Sequence, residues 1–204
     1  MHPWRARLER WFTPFARQTS LPPNAITIIA LLLNVAGAAA MGRGNAHPWL
    51  FLAAIPLIAS AGLADAIDGI VARVQDRATP FGDFLDHCAD RLSDALLATG
   101  WLVGSGVRQS LAIAAIISIM MNGYLGTQIE ATYRQRSYDS VGRGEFVLAL
   151  IVFPIVSYIL YTNGWESERF LSLSIAEWLA VLLIAFALIG VVQRFALARR
   201  LARS

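Results

Sequence analysis

The chain has 204 residues, of which 56% are hydrophobic and only 15% are charged, and its mean hydropathy is +0.54. Soluble domains are usually about a quarter charged, so this composition excludes an ordinary soluble globule and a disordered chain and is typical of a helical membrane protein. The lone cysteine, Cys88, excludes an internal disulfide framework and a multi-cysteine zinc site. All 17 basic residues are arginine, and several flank apolar runs, which indicates membrane topology and headgroup contact rather than nucleic-acid binding.

The first seventeen residues are predicted to form an amphipathic helix. Apolar side chains recur at helical spacing and arginines fall between them; the apolar positions are Trp4, Leu8, Trp11, Phe12 and Phe15. We expect residues 1–17 to lie in the membrane interface as a juxtamembrane helix, with the aromatic side chains toward the lipid and the arginines toward the headgroups. A disordered basic tail is the alternative.

Charge-free stretches predict five membrane-spanning helices. The first covers 24–41, the second begins at 48, and three more cover 109–129, 146–165 and 178–193.

A sixth stretch, 81–105, is ambiguous because its first half is acidic. If it spans the bilayer, thirteen arginines fall on one side and three on the other, which is the bias that the positive-inside rule requires. The sequence therefore predicts an all-α integral membrane protein with six spans, and with both termini in the cytoplasm. No repeat or linker interrupts it, so we expect one domain over 1–204, made of the juxtamembrane helix and a six-helix bundle over 22–204.

Seven of the fourteen acidic residues fall between Asp65 and Asp94. Carboxylates at membrane depth cost roughly 2.5–3.5 kcal/mol each, and the three arginines nearby cannot neutralise seven acids. A divalent cation is therefore expected at this cluster. A buried ion-pair network that only joins two helices is the alternative.

The spacing of four aspartates predicts a shared site. Asp65 and Asp68 are three residues apart and share a face at the end of the second span, while Asp86 and Asp90 are four apart at the start of the third. A short connection makes these helices antiparallel, so the four carboxylates can converge. Oxygen ligands alone select Mg²⁺, Mn²⁺ or Ca²⁺ over zinc, and four carboxylates could hold two ions about 3.5–4 Å apart.

Three neighbouring residues suit a phosphate ligand. Gly69 and Gly82 carry no side chain, so a bulky group could approach the helix backbone beside them. Arg73 follows Gly69 by about one helical turn and could form a two-pronged pair with a phosphate.

Eight of these positions together resemble the signature of the CDP-alcohol phosphotransferases, also called CDP-alcohol phosphatidyltransferases. All eight are present at the gaps that the signature requires: Asp65-x2-Asp68-Gly69-x2-Ala72-Arg73-x8-Gly82-x3-Asp86-x3-Asp90. Weaker matches lie outside this string, namely Pro23-Asn24-x2-Thr27 and Gln193-Arg194. The resemblance implies transfer of a substituted phosphate from a CDP-linked donor to an alcohol hydroxyl with release of CMP. It also implies a six-helix membrane bundle, usually a homodimer, whose active site opens to the cytoplasm.

The resemblance also assigns roles to residues. The expected metal ligands, for Mg²⁺ or Mn²⁺, are Asp65, Asp68, Asp86 and Asp90. Asp90 also matches the proposed general base. The positions that match the CDP pocket are Asp68, Gly69, Ala72, Arg73 and Gly82.

The donor and the acceptor are less closely defined. Donors in this family are either CDP-diacylglycerol, with a small polar acceptor, or CDP-choline and CDP-ethanolamine, with diacylglycerol as acceptor. The segment 90–94, Asp-Arg-Leu-Ser-Asp, resembles the phosphatidylinositol-phosphate and archaetidylinositol-phosphate synthase branch, whereas the Asp86-His87 pair resembles the choline and ethanolamine branch. Within this segment we expect Asp94 to pair with Arg91.

Basic residues near the cytoplasmic ends of the later spans favour an acceptor that carries its own phosphate, such as inositol phosphate or glycerol phosphate. The candidates for contact with that phosphate are Arg134, Arg136, Arg143 and Arg194. Headgroup contact alone is the alternative explanation for these side chains.

A divalent-cation or proton transporter is the alternative from another functional class, since transporters also carry carboxylates within the membrane. Against it, the aspartates lie at one end of their helices, and Glu177 is the only acidic residue in the last three spans.

Overall fold

The computed structural model describes residues 3–134 and 143–203, which form seven α-helices and a short β-hairpin. The helices are α1 (Pro3–Gln18), α2 (Pro23–Met41), α3 (Trp49–Val74), α4 (Pro80–Gly104), α5 (Gln109–Tyr133), α6 (Arg143–Asn163) and α7 (Ile175–Leu201). The hairpin consists of β1 (Arg169–Phe170) and β2 (Leu173–Ser174). The prediction of an all-α fold is confirmed, and each of the helices α2 to α7 begins within three residues of the start of a predicted stretch.

Four of these helices, α2, α3, α5 and α7, are long and apolar enough to cross a bilayer. Such a set is typical of an integral membrane protein, because about 20 apolar residues are needed to span the hydrocarbon. α4 carries the acidic cluster, and the apolar part of α6 within the described residues, Leu148–Asn163, is shorter.

The contact between α2 and α4 is unusually close. A Cβ atom on Gly100 would overlap the backbone of Ala38, and one on Gly104 would overlap the backbone of Met41. Small residues allow helix backbones to touch in this way, and they are enriched where helices pack tightly in membranes. The side-chain core lies at this end of α4, where Trp101 and Leu102 are fully buried.

Gly104→Ala is expected to destabilise the protein by about 1–3 kcal/mol, because the added methyl group would force α2 and α4 apart. Thermal unfolding of the purified protein in detergent measures this loss. The matched control is Gly62→Ala in α3, where a Cβ would meet nothing within 4 Å and alanine should be neutral or mildly stabilising. Equal unfolding temperatures for the two variants would contradict the close contact.

A buried polar cluster links α4 to α6 within this core. The indole Nε1 of Trp101 donates to Ser157 Oγ at 3.0 Å, and the hydroxyls of Ser105 and Ser157 are 2.8 Å apart. Buried polar groups without partners are costly, so these bonds fix one arrangement of the two helices.

The hairpin before α7 was not predicted. Its turn residues, Leu171 and Ser172, have positive φ angles of 50° and 68°, which non-glycine residues rarely adopt. Arg108, at the start of α5, holds this segment: its Nη2 donates to Ser172 O at 3.0 Å, and its Nε and Nη2 donate to the Glu177 carboxylate at 2.5 and 3.1 Å. The first turns of α5 and α7 are therefore tied together at the end of the bundle opposite the aspartates.

Candidate active site

Three of the four predicted metal ligands converge where α3 ends and α4 begins. One carboxylate oxygen from each of Asp65, Asp86 and Asp90 lies within 4.8 Å of the other two, and all three residues are partly buried. Both α3 and α4 pack on α2, and this arrangement brings the three carboxylates together at one end of the bundle. Three oxygen donors at this spacing fit a hard divalent cation such as Mg²⁺ or Mn²⁺.

Asp68 lies outside this group of three. It is only 6% exposed, and its Oδ2 accepts a hydrogen bond of 2.6 Å from the Thr27 hydroxyl on α2. Its carboxylate therefore contacts α2, although Asp65 lies one turn earlier on the same helix.

The start of α2 contributes a second contact at this end of the bundle. Asn24 Oδ1 lies 3.1 Å from the point that a Cβ on Gly82 would occupy. Gly82 itself is in the first turn of α4, where its backbone N–H donates to the Thr79 hydroxyl at 3.0 Å. Two residues of the weak outer match, Asn24 and Thr27, therefore lie against Gly82 and Asp68.

Three residues of the predicted CDP pocket lie in the last turns of α3. Gly69 and Ala72 are partly buried, and Arg73 is exposed in the last turn. Apart from the backbone of the surrounding helix turn and the two chain neighbours, the one described atom within 4 Å of a Cβ on Gly69 would be Arg73 Nη1, at 3.4 Å. A ligand that approaches the Gly69 backbone would therefore meet this guanidinium.

Two arginines pack against glycines of α5. A Cβ on Gly123 would overlap the Arg91 guanidinium, and a Cβ on Gly126 would lie 3.3 Å from that of Arg194. Arg91 Nη1 is 3.2 Å from Asp94 Oδ2, so the predicted pair is confirmed. The sequence analysis did not predict the packing on α5, although two glycines three residues apart in an apolar helix were a usable signal.

The Arg194 side chain extends from α7 to α5. Its Nη1 donates to the backbone and side-chain oxygens of Asn122, and the Nε atoms of both Arg91 and Arg194 are buried without a hydrogen-bond partner among the described residues. Buried donors without a partner among the described residues make these two guanidiniums candidates to donate to an anionic ligand.

An open cavity of about 190 Å³ lies between α5 and α7 beside Arg194. Part of its lining is polar, from Gln128, Thr132 and Tyr133, and the rest is apolar, from Leu125, Ile129, Phe195 and Ala198.

The structure describes the other three candidates for contact with the acceptor phosphate less completely. Arg134 ends α5 in a left-handed conformation with φ of 54° and is exposed. Arg143 begins α6, but its side chain is outside the described part of the structure, and Arg136 lies outside the described residues altogether.

A family profile described as CDP-alcohol phosphatidyltransferase matches residues 20–192, which is most of the chain. The chain belongs to the CDP-alcohol phosphatidyltransferase family. The profile covers the eight signature positions, both helices that carry the aspartates, and the cavity between α5 and α7 except for its last lining residues. The resemblance inferred from the signature is thereby confirmed.

Individual relatives agree with this assignment. An archaetidylinositol phosphate synthase of Methanothermobacter thermautotrophicus is 27% identical over 161 residues, which cover 79% of this chain and 80% of that protein. A phosphatidylinositol phosphate synthase of Mycobacterium marinum is 33% identical over 175 residues, covering 76% and 70%. The crystal structure of Mycobacterium tuberculosis phosphatidylinositol phosphate synthase with manganese and citrate superposes with a TM-score of 0.68 at 25% identity, covering 91% and 88%.

Membership in the family defines the reaction class. The protein is an integral membrane transferase of phospholipid synthesis that moves a phosphatidyl group to an alcohol hydroxyl. It is a metal-dependent enzyme of the Mg²⁺ or Mn²⁺ type, in keeping with the manganese in the solved relative and with the carboxylate group of Asp65, Asp86 and Asp90.

Proposed function

We propose that the enzyme transfers the phosphatidyl group of CDP-diacylglycerol to an alcohol that carries its own phosphate, with inositol phosphate as the preferred acceptor. The observation that carries this proposal is Arg194, which lines the open cavity and whose buried Nε has no hydrogen-bond partner among the described residues. Relatives named for inositol phosphate products support the choice of acceptor, and glycerol phosphate is the next candidate.

We assign binding of the CDP-linked donor to the signature residues. Asp65, Asp86 and Asp90 would hold the divalent ions, and Asp68, kept in place by Thr27, would complete the set and contact the nucleotide. Bound Mg²⁺ or Mn²⁺ supplies charge neutralisation for the diphosphate and for the departing CMP. The missing side chain at Gly69 and the small one at Ala72 leave room for the CDP group, and Arg73 pairs with its phosphates. Gly82 is assigned to the same pocket from the signature alone.

The proposed chemistry is a displacement at phosphorus. The acceptor hydroxyl oxygen forms a bond to the phosphorus that carries the diacylglycerol, and the bond from this phosphorus to the bridging oxygen breaks, so that CMP leaves with that oxygen. Asp90 accepts the hydroxyl proton as the new bond forms. Arg194, with Arg134, Arg136 and Arg143 near the α5–α6 connection, holds the acceptor by its phosphate.

The proposed membrane arrangement has α2 to α7 as six spans of one domain over 1–204, with the site and both termini in the cytoplasm. The arginine asymmetry of the sequence supports this orientation. α1 would lie in the interface, since Trp11 and Phe15 are exposed while Phe12 and Ala16 pack toward α2 and α3.

A homodimer is proposed from the family resemblance. The exposed apolar side chains along α5 support it, because they form one continuous stripe that a second copy could cover: Ile113, Ile117, Met121 and Tyr124. Lipid acyl chains would surround the remaining apolar faces of the bundle.

Arg194→Ala tests the acceptor. We expect the variant to raise the KM for inositol phosphate at least about tenfold, because a guanidinium–phosphate contact is among the stronger hydrogen-bonded pairs. CMP release from CDP-diacylglycerol with Mn²⁺ is the measurement, over a panel of inositol phosphate, glycerol phosphate, inositol and glycerol. Arg199→Ala, on the same helix and exposed, is the matched control and should leave this KM unchanged. Equal turnover of inositol and inositol phosphate would overturn the proposal.

A further inference from the structure

The N-terminal helix contacts a residue of the signature. Glu9 Oε1 in α1 lies 3.5 Å from Arg73 Nε at the end of α3. Glu9 is the only acidic residue of α1, whose other charged residues are all arginines. No other acidic side chain of α1 is therefore available to pair with Arg73.

α1 is packed against α3 beside this contact. Gln75 Nε2 donates to the backbone oxygens of Ala16 and Thr19 at 2.7 and 2.9 Å, which fastens the end of α1 beside the last turn of α3. Ala16 is fully buried in a small cluster with Ile70 and Val71. The position of Glu9 relative to Arg73 is thus set by packed helices and not by a loop.

The two edges of the Arg73 guanidinium meet different surroundings. Its Nε is near Glu9, whereas its Nη1 lies over Gly69, where a Cβ would be 3.4 Å away. A guanidinium offers donors on both edges in a fixed plane, so a carboxylate on one edge orients the other. Without Glu9, the exposed Arg73 side chain would be free to adopt many rotamers.

We propose that Glu9 is a positioning residue for the donor: it holds the Arg73 guanidinium so that the opposite edge meets the diphosphate of the CDP group beside Gly69. This inference rests on the proposed function for the role of Arg73. It makes the N-terminal helix a part of the donor site as well as a membrane-associated segment.

Glu9→Gln is the test, with kinetics and direct binding as two readouts. We expect the KM for CDP-diacylglycerol and the Kd for free CDP with Mn²⁺ to rise about two- to fivefold, the range set by a partly exposed ion pair. The acceptor KM and the unfolding temperature should not change, and Glu9→Asp should recover part of the loss. Free CDP carries no acyl chains, so its binding separates an effect on Arg73 from altered insertion of α1 into lipid.

Asp76→Asn is the matched control, because it removes an exposed carboxylate from the connection after α3; CDP affinity should stay at the wild-type value. In the combined Glu9→Gln, Arg73→Ala variant, the CDP Kd should equal that of Arg73→Ala alone, because Glu9 acts through Arg73. An unchanged CDP Kd in Glu9→Gln, or losses that add in the double variant, would overturn the inference. Failure of the wild type to release CMP would instead overturn the proposed function, and the CDP-binding comparison would still decide the role of Glu9.

Discussion

Asp90→Asn is expected to lower the turnover number by a factor of about 100 to 10,000, the range typical of removing a general base. Asparagine keeps the size of the side chain and an oxygen that can approach a cation, but it cannot take the proton of the acceptor hydroxyl. CDP-diacylglycerol binding should therefore stay measurable. The experiment measures CMP release at saturating donor and acceptor, together with donor binding at equilibrium.

Asp83→Asn is the matched control for this variant. Asp83 lies in the first turn of the same helix and is exposed, so its replacement should leave turnover within about twofold of the wild type. Near-normal turnover in Asp90→Asn would remove Asp90 from the role of base. Loss of donor binding together with turnover would assign Asp90 to metal binding alone.

Asp86→Asn is expected to raise the Mn²⁺ concentration needed for half-maximal activity at least about tenfold, because it removes one of the three converging carboxylates and its charge. Activity should recover in part when Mn²⁺ is raised. In the wild type, chelation should abolish CMP release and added Mn²⁺ should restore it.

A metal titration of CMP release measures this effect, with Asp76→Asn as the control for an exposed carboxylate outside the converging group. A half-maximal concentration equal to that of the wild type would exclude Asp86 as a ligand.

Local spacing was sufficient to predict the convergence of three of the four aspartates. Asp65 at the end of one helix, and Asp86 and Asp90 at the start of the next, can be placed on facing surfaces because helical periodicity and a short connection determine both. Their convergence in the structure follows the prediction. The starts of α2 to α7 were also close, within three residues of the predicted stretches, whereas α7 continues to Leu201, beyond the predicted end at 193.

Contacts between distant parts of the chain could not be predicted in this way. The Asp68 carboxylate contacts Thr27, 41 residues earlier in the chain. The Arg91 side chain in α4 packs against Gly123 in α5. Such partners depend on which helix faces are adjacent in three dimensions, and periodicity does not determine this. The hairpin was missed because strands of two residues show no alternation, and Arg108 and Glu177 stabilise it from outside the segment.

α2 supplies none of the proposed metal ligands, yet both helices that carry them rest on it. It reaches α3 through Thr27 and Asp68, and it reaches α4 through a 3.0 Å bond from Asn34 to Ser93 and through direct backbone contact at Gly104. Where backbones touch, no rotamer change can let one helix slide along the other. Changes in bilayer thickness or lateral pressure should therefore be absorbed by α5, α6 and α7, which do not pack extensively on α2, and the spacing of the aspartates should be insensitive to lipid composition.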